Sequence, residues 1–413
     1  MEKFKNKIKK ILLWSQKYTN TDMIYIARSS FWHFFGKVFY FITSFAIMIA
    51  VANWVPKETY GAYRYVLSTV ALLSILSLPG LDQSLIRAVA KGKEKMYSVV
   101  AKTRLKWSIL GTLACFSVSG WYLINQNNAL GFSFLIAGLL FSLRYILDLY
   151  ENFWKGKARF DILNKFIAID QTLMTLLFLP IIFFTDNLIW LVLGFFGTRI
   201  IGHGIFFFIT LKKISNNNTD KETIPFGKHL TLMKIPGKIA DQIDKVILWQ
   251  FLGPVAVATF SFAQLPLSKI SGLIPISEFS LPKLSKKNIK ETKSSLLNKF
   301  YKLFLIVVPG IILIVIFIPY FYKLFFPSYL ESVPYFRVLS LGLIFTPFTL
   351  LSSSFVAAMK KKQLYIINSV IPIARIILFL ILIPLYGLWG LIGATLGTDL
   401  LKNALIFYFF KKI

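Results

Sequence analysis

Twelve apolar stretches follow one another along this chain, separated by short polar or basic connections. About 20 apolar residues at 1.5 Å rise per residue match the hydrocarbon thickness of a bilayer. The pattern predicts transmembrane helices near 29–53, 61–80, 107–125, 129–150, 166–184, 187–210, 231–251, 255–277, 301–321, 334–357, 365–384 and 387–410. The connections alternate in character. Those at 125–129, 185–187 and 386–387 approach the minimum for a helical hairpin, whereas those on the other side are longer and lysine-bearing. No catalytic ectodomain fits, so any chemistry lies in the bundle.

Composition agrees, with 56% hydrophobic residues, 41 Phe and a mean hydropathy of +0.65. A net charge of +29 would suit nucleic acid, but its distribution argues otherwise. Roughly 34 of the basic residues fall at the N-terminus, in the even connections and at Lys411 and Lys412, against Lys57, Arg64 and Lys323 in the odd ones. This positive-inside bias predicts cytoplasmic N- and C-termini in a multi-pass membrane protein. Attraction to anionic membrane lipids is a by-product. Within residues 1–28, Phe4, Ile8, Ile11, Leu12 and Tyr18 share one helical face among lysines, which predicts an interfacial amphipathic segment rather than a signal peptide. Cys115 is the only cysteine, which leaves no disulfide or thiolate metal cluster within one chain.

The chain also matches itself at a displacement of about 200 residues. His33-x-x-Gly36-Lys37 faces Lys234-x-x-Gly237-Lys238. Pro56 before Gly61-Ala62-Tyr63 faces Pro254 before Ala258-Thr259-Phe260. Trp190-x-x-x-Gly194 with Gly197-Thr198 returns as Trp389-x-x-x-Gly393 with Gly397-Thr398. Six helices per repeat is an even number, so both halves enter the membrane in the same direction. The expected architecture is an all-α integral membrane protein of about 12 helices in two six-helix lobes, related by a pseudo-twofold along the membrane normal. The boundaries fall at 29–212 for the N-lobe, 213–230 for a cytoplasmic linker and 231–413 for the C-lobe, with the first and seventh helices side by side at the cleft.

Four segments carry a family resemblance. Val55-Pro56-Lys57-Glu58-Thr59-Tyr60-Gly61-Ala62-Tyr63 resembles the turn after the first helix of polysaccharide exporters, and Gly80-Leu81-Asp82-Gln83-Ser84-Leu85-Ile86-Arg87 the end of their second helix. Asp244-Lys245-Val246-Ile247-Leu248 with Leu252-Gly253-Pro254 is similar to their seventh-helix signature. Ile383-Pro384-Leu385-Tyr386-Gly387-Leu388-Trp389-Gly390 is similar to their turn before the twelfth helix. Together these resemble the multidrug/oligosaccharidyl-lipid/polysaccharide exporter superfamily, and within it the O-antigen (Wzx-type) flippases. The resemblance implies a location in the bacterial inner (cytoplasmic) membrane and transfer of an undecaprenyl-diphosphate-linked oligosaccharide from its cytoplasmic to its periplasmic leaflet by alternating access.

Ionisable residues inside spans cost roughly 2.5–3.5 kcal/mol each at mid-helix, so their spacing is informative. In the seventh span Lys234, Lys238, Asp241 and Lys245 fall at i, i+4, i+7 and i+11, one helical face beside Pro236-Gly237. His33 and Lys37 share a face of the first span. These cations are the candidate substrate site, since lysine binds a diphosphate as a point charge; Lys37 and Lys234 can alternatively snorkel to the surface. Structural pairing is expected for Asp170 with Arg199, Arg375 with Asp399 and Arg144 with Asp148. Asp241 and His203 are candidates for proton coupling, H+ and Na+ being the coupling ions open to such a protein. No metal site or cofactor is expected, and no P-loop supplies ATP. An inside-negative potential drives an anion outward by about 2.3 kcal/mol per charge per 100 mV. Rival readings are a multidrug or metabolite cation exporter of the same fold, a membrane polysaccharide polymerase or glycosyltransferase, and a structural or assembly role in an envelope complex; a polysaccharide polymerase complex is an expected partner of the flippase. A basic cleft argues against the first, and the near-absence of outward loops against the second.

Overall fold

The computed structural model describes the backbone of residues 23–273, 289–357 and 361–412, and the side chains of 39–270, 293–355 and 363–412. The amphipathic reading of 1–20 lies outside the described residues. Every element of the described residues is a helix, joined by short irregular connections. The N-lobe holds α1 (Met23–Trp54), α2 (Lys57–Leu73), α3 (Leu81–Ala90), α4 (Met96–Ile124), α5 (Asn128–Leu147), α6 (Leu149–Gly156), α7 (Phe160–Phe184) and α8 (Leu188–Leu211). The C-lobe holds α9 (Thr223–Ala240), α10 (Ile243–Leu273), α11 (Ile289–Phe325), α12 (Ser332–Ser340), α13 (Phe348–Ala357), α14 (Lys361–Tyr365) and α15 (Ile371–Lys411).

Spans and helices are not one to one, and the breaks have identifiable causes. Gly253 (φ 78°) divides α10 and Gly387 (φ 59°) divides α15, each with proline nearby. Both glycines adopt a left-handed backbone that a Cβ would disfavour, so each long helix is two spans joined at a tight turn. The second span bends by 54° between Ser77 and Leu81. There Leu78 takes φ 58° ahead of Pro79. Seven described helical segments are long and apolar enough to cross a membrane, and nine if each bent pair is one span. The Gly253 and Gly387 breaks split two of these segments in two, and α1, apolar over Phe39–Trp54, adds one more, so the described chain forms twelve spans in two six-helix lobes. Leu305 and Ile306 of α11 stand 72% and 71% exposed, as lipid-facing residues do.

The two ends of the bundle differ. At the end opposite the lysine-rich connections, one hydrophobic core runs through both lobes, from Val66 and Phe134 to Phe260, Tyr322 and Phe336. Tyr65 stacks on Trp249 at 4.6 Å, and Gly61 of α2 lies against the backbone of Pro254. Lys57 bridges Glu331 at 2.9 Å, and Thr259 also donates to that carboxylate. At the lysine-rich end the core divides, with one cluster around Tyr97 and Tyr150 and another around Phe300 and Phe355. The lobes still touch there through Gly80, whose amide donates to the Thr231 hydroxyl at 2.9 Å. These contacts correct the expectation for the cleft. Among the described residues, the first helix packs chiefly on α7 and reaches the C-lobe through Phe45 against Phe321, Phe325 and Phe326 rather than through α9, while the most extensive contacts across the lobes are α2 with α10 and α3 with α9. The repeat explains this, because α2 and the second half of α10 are equivalent and meet where the pseudo-twofold passes. Two further expectations shift. Arg64 lies inside α2 rather than in a connection, and α9 begins at Thr223, which shortens the linker.

That linker is pinned. Glu94, 2% exposed between α3 and α4, pairs with Lys157 and accepts bonds from the Ser215 amide (2.8 Å) and hydroxyl. Burial opposes its charge, but Lys157 and Ser215 outweigh burial and hold the carboxyl below the usual glutamate range. A depressed folded-state pKa gives stability that is present above the ordinary value and lost as pH falls through the folded one. Limited proteolysis at 215–222 should therefore stay slow from neutral pH down to about 4.5 and accelerate only in more acid solution. Glu94→Gln should be cleaved faster at every pH above that.

Candidate functional site

A cavity of about 650 Å³ lies where the lobes part, in the lysine-rich half. Helix α9 contributes Lys234, Gly237 and Lys238, and Asp241 follows at its C-cap. Pro79 and Asp82 come from the bend of the second span. Asn368 and Arg375 come from the eleventh span, and Lys402 from the twelfth. Local sequence shapes the wall. Pro236 has no N–H for the Leu232 carbonyl, and the space where a Gly237 Cβ would stand is open. Asn368 sits in a π-helical turn, Ile366–Val370, and Pro372 lacks the N–H that would bond its carbonyl.

Charge pairing separates two classes of residue. Arg375 is held by Asp399, and its Nε donates to Thr398 Oγ1 at 2.8 Å. Asp82 is held by Arg104 at 2.7 Å and by Asn152 Nδ2 at 2.8 Å. Arg104 also donates to the carbonyls of Leu78 and Tyr145, thereby fastening the bend. In contrast, Lys234, Lys238 and Lys402 have no carboxylate within 4.0 Å among the described residues, and Asp241 has no ammonium or guanidinium. Asp241 interacts at longer range with Arg375, Lys238 and Lys402. Three unpaired cations thus face one unpaired carboxylate.

Lys245 is not part of this wall. It is 3% exposed, bonded to Asp244 at 2.9 Å and Gln264 at 3.0 Å, with its ammonium 5.5 Å from the Phe260 ring. The i+11 projection fails because α9 ends at Ala240 and α10 restarts at Ile243, so the two segments do not share one helical phase. The side chains of His33 and Lys37 lie outside the described residues.

Within the N-lobe a second network joins three helices. His203 of α8 places Nδ1 against Asp148 and Nε2 3.0 Å from Asp170 of α7, while Arg144 holds Asp148 from α5. Arg199 stands 3.7 Å from Asp170. Both ring nitrogens of an imidazole are donors only when it is protonated, so this bridge holds a proton on His203 or on one of its carboxylates. Tyr150 meets the ring edge-on at 5.3 Å, and Gly202 lets Asp170 approach the α8 backbone.

Sequence reasoning missed Lys402, Asp82 with Arg104, and Asp244. Lys402 carried a signal, as a lysine inside the span 387–410. Arg104 read as one cation among many in a basic connection, and only the 54° bend turns it into a buried anchor.

The chain is 22% identical to an uncharacterized membrane protein, MJ1068, of Methanocaldococcus jannaschii, over 89% of this chain and 80% of that one. Its fold is similar to that of the lipid II flippase MurJ in an inward closed conformation, with a TM-score of 0.73 at 15% identity, covering 93% of this chain and 87% of MurJ. It is also similar to an inward-facing multidrug resistance MATE family transporter of the MOP superfamily, with a TM-score of 0.64 at 13% identity over 91% and 94%. Residues 26–287, more than half of the chain, match the family described as polysaccharide biosynthesis protein, and the chain belongs to that family.

Proposed function

We propose that this protein flips an undecaprenyl-diphosphate-linked oligosaccharide from the cytoplasmic to the outer leaflet of the bacterial inner membrane, by alternating access, for O-antigen, capsule or exopolysaccharide synthesis. The observation that carries the reading is the charge of the inter-lobe cavity: Lys234, Lys238 and Lys402 unpaired against Asp241 alone. A diphosphate supplies the missing negative charge, and the wall is polar enough at Asn368 and Asp241 to hydrate sugars. The lysine-rich end is cytoplasmic on the positive-inside rule, which puts both termini and the cavity mouth on the side where the substrate is made. Closure of the opposite end by Gly61, Pro254 and the Lys57–Glu331 bridge suits a state that waits for substrate from that side. The protein acts as a transporter and not as an enzyme, and H+ is the coupling ion this reading favours, with His203 between Asp148 and Asp170 as its candidate carrier. A polysaccharide polymerase complex is its expected downstream partner.

The domain division proposed is 29–212, a linker, and 231–413, with α9 reaching back into the linker. The test is a leaflet assay. Cells lacking the protein should accumulate the lipid-linked sugar in the cytoplasmic leaflet, and the wild-type chain should restore its arrival outside. Unchanged leaflet distribution, or efflux of cationic dyes as the sole activity, would overturn the reading in favour of a cation exporter.

A further inference from the structure

We propose that the C-lobe also carries a site for one anionic phospholipid of the bilayer, on the side of the protein turned away from the cleft. A second cavity, of about 300 Å³, is lined by Phe300 of α11, by Phe345 and Phe348, and by Leu400, Ala404 and Phe407 of α15. The rings form a cup, with Phe300 and Phe348 edge to face at 4.9 Å and Phe407 6.1 Å from Phe300. Leu400 and Ala404 each stand two residues from Lys402, about 200° around the helix at 3.6 residues per turn. Lys402 faces the cleft, so the cup opens toward lipid.

The rim of the cup is cationic. Lys411 is one turn beyond Phe407, with its ammonium 4.7 Å from that ring. Lys293 is seven residues before Phe300 on the same helical face and donates to the Lys411 carbonyl at 2.7 Å. That uses one of its three donor hydrogens. Neither ammonium has a carboxylate within 4.0 Å among the described residues. The aromatic wall thus begins about 6 Å below Lys411 and continues to about 16 Å at Leu400, at 1.5 Å per residue. An acyl chain below and a phosphate above have this shape and charge. A zwitterionic lipid brings its own ammonium to the rim, so a net negative headgroup is favoured. The occupant is a bilayer phospholipid rather than the transported carrier, because a diphosphate on the cleft lysines lies on the opposite face of the twelfth span. The site does not depend on what the cleft transports.

Native mass spectrometry of the full-length protein from micelles containing equal phosphatidylglycerol and phosphatidylcholine tests this. Wild type should retain one phosphatidylglycerol in about tenfold preference, since basic residues near the headgroups each favour anionic lipid. Lys293→Gln with Lys411→Gln should bring the ratio near one. Ala404→Leu, which fills the cup and leaves both lysines, should lose retention of either lipid. Equal retention by wild type, or a preference that survives in both variants, would overturn the site. Displacement of the bound lipid by undecaprenyl phosphate at lower concentration than by phosphatidylglycerol would overturn the choice of occupant.

Discussion

Lys238→Ala should reduce flipping by roughly ten- to hundredfold while leaving insertion and abundance unchanged. A hydrogen bond to a charged group contributes about 1.5–3 kcal/mol, and that much lost from the rate-determining state gives such a factor. Abundance is spared because Lys238 has no carboxylate partner within 4.0 Å among the described residues, so its removal strands no charge. Lys238→Arg should keep part of the activity, since lysine serves a phosphate as a point charge. The leaflet assay reads the rate, and fluorescence of a tagged chain in membranes reads the abundance. Asp241 supplies the control. If Lys238 served only to balance that carboxylate, Lys238→Ala would lower abundance, and Lys238→Ala with Asp241→Asn would restore both abundance and transport. Full transport by the double variant would remove Lys238 from the substrate site.

Gly61→Leu should have an effect of similar size by a different route. A Cβ at position 61 would stand 1.9 Å from the Pro254 carbonyl oxygen, and both partners are helix backbone that cannot rotate away. The cost falls on the closed arrangement of the lobes, because within the N-lobe leucine is the better helix former. Folding should survive while closure at this end fails. Lys57→Cys with Glu331→Cys offers a readout, since these side chains bridge at 2.9 Å in the native chain. Cross-linking of that pair by a bis-maleimide whose spacer replaces the length of the Lys57 and Glu331 side chains should be efficient in the wild-type background and lost with Gly61→Leu, along with transport. Normal cross-linking in the presence of Gly61→Leu would mean that α2 and α10 are not a gate.

Several helices start earlier than the apolar runs, at Met96, Thr223 and Ile289, whereas the twelve spans, their all-helical character and the two-lobe repeat were legible in the sequence alone. Each is a local property: about 20 apolar residues between short connections leave a bilayer helix as the state that satisfies the backbone. The spacing of Lys234 and Lys238 was equally local, because both lie within the uninterrupted Thr223–Ala240 helix. Lys245 marks the limit. Its register was extrapolated through a helix end that only the structure reveals, and three-dimensional proximity gave it to Asp244 and Gln264. The same holds for Lys402 and Asp82, which are more than 300 residues apart in the chain and share one cavity wall. Periodicity ranks the faces of a helix but does not say which helices meet. That was decided by the pseudo-twofold contact of Gly61 with Pro254, by the 54° bend fastened by Arg104, and by the divided core that opens the cavity at one end.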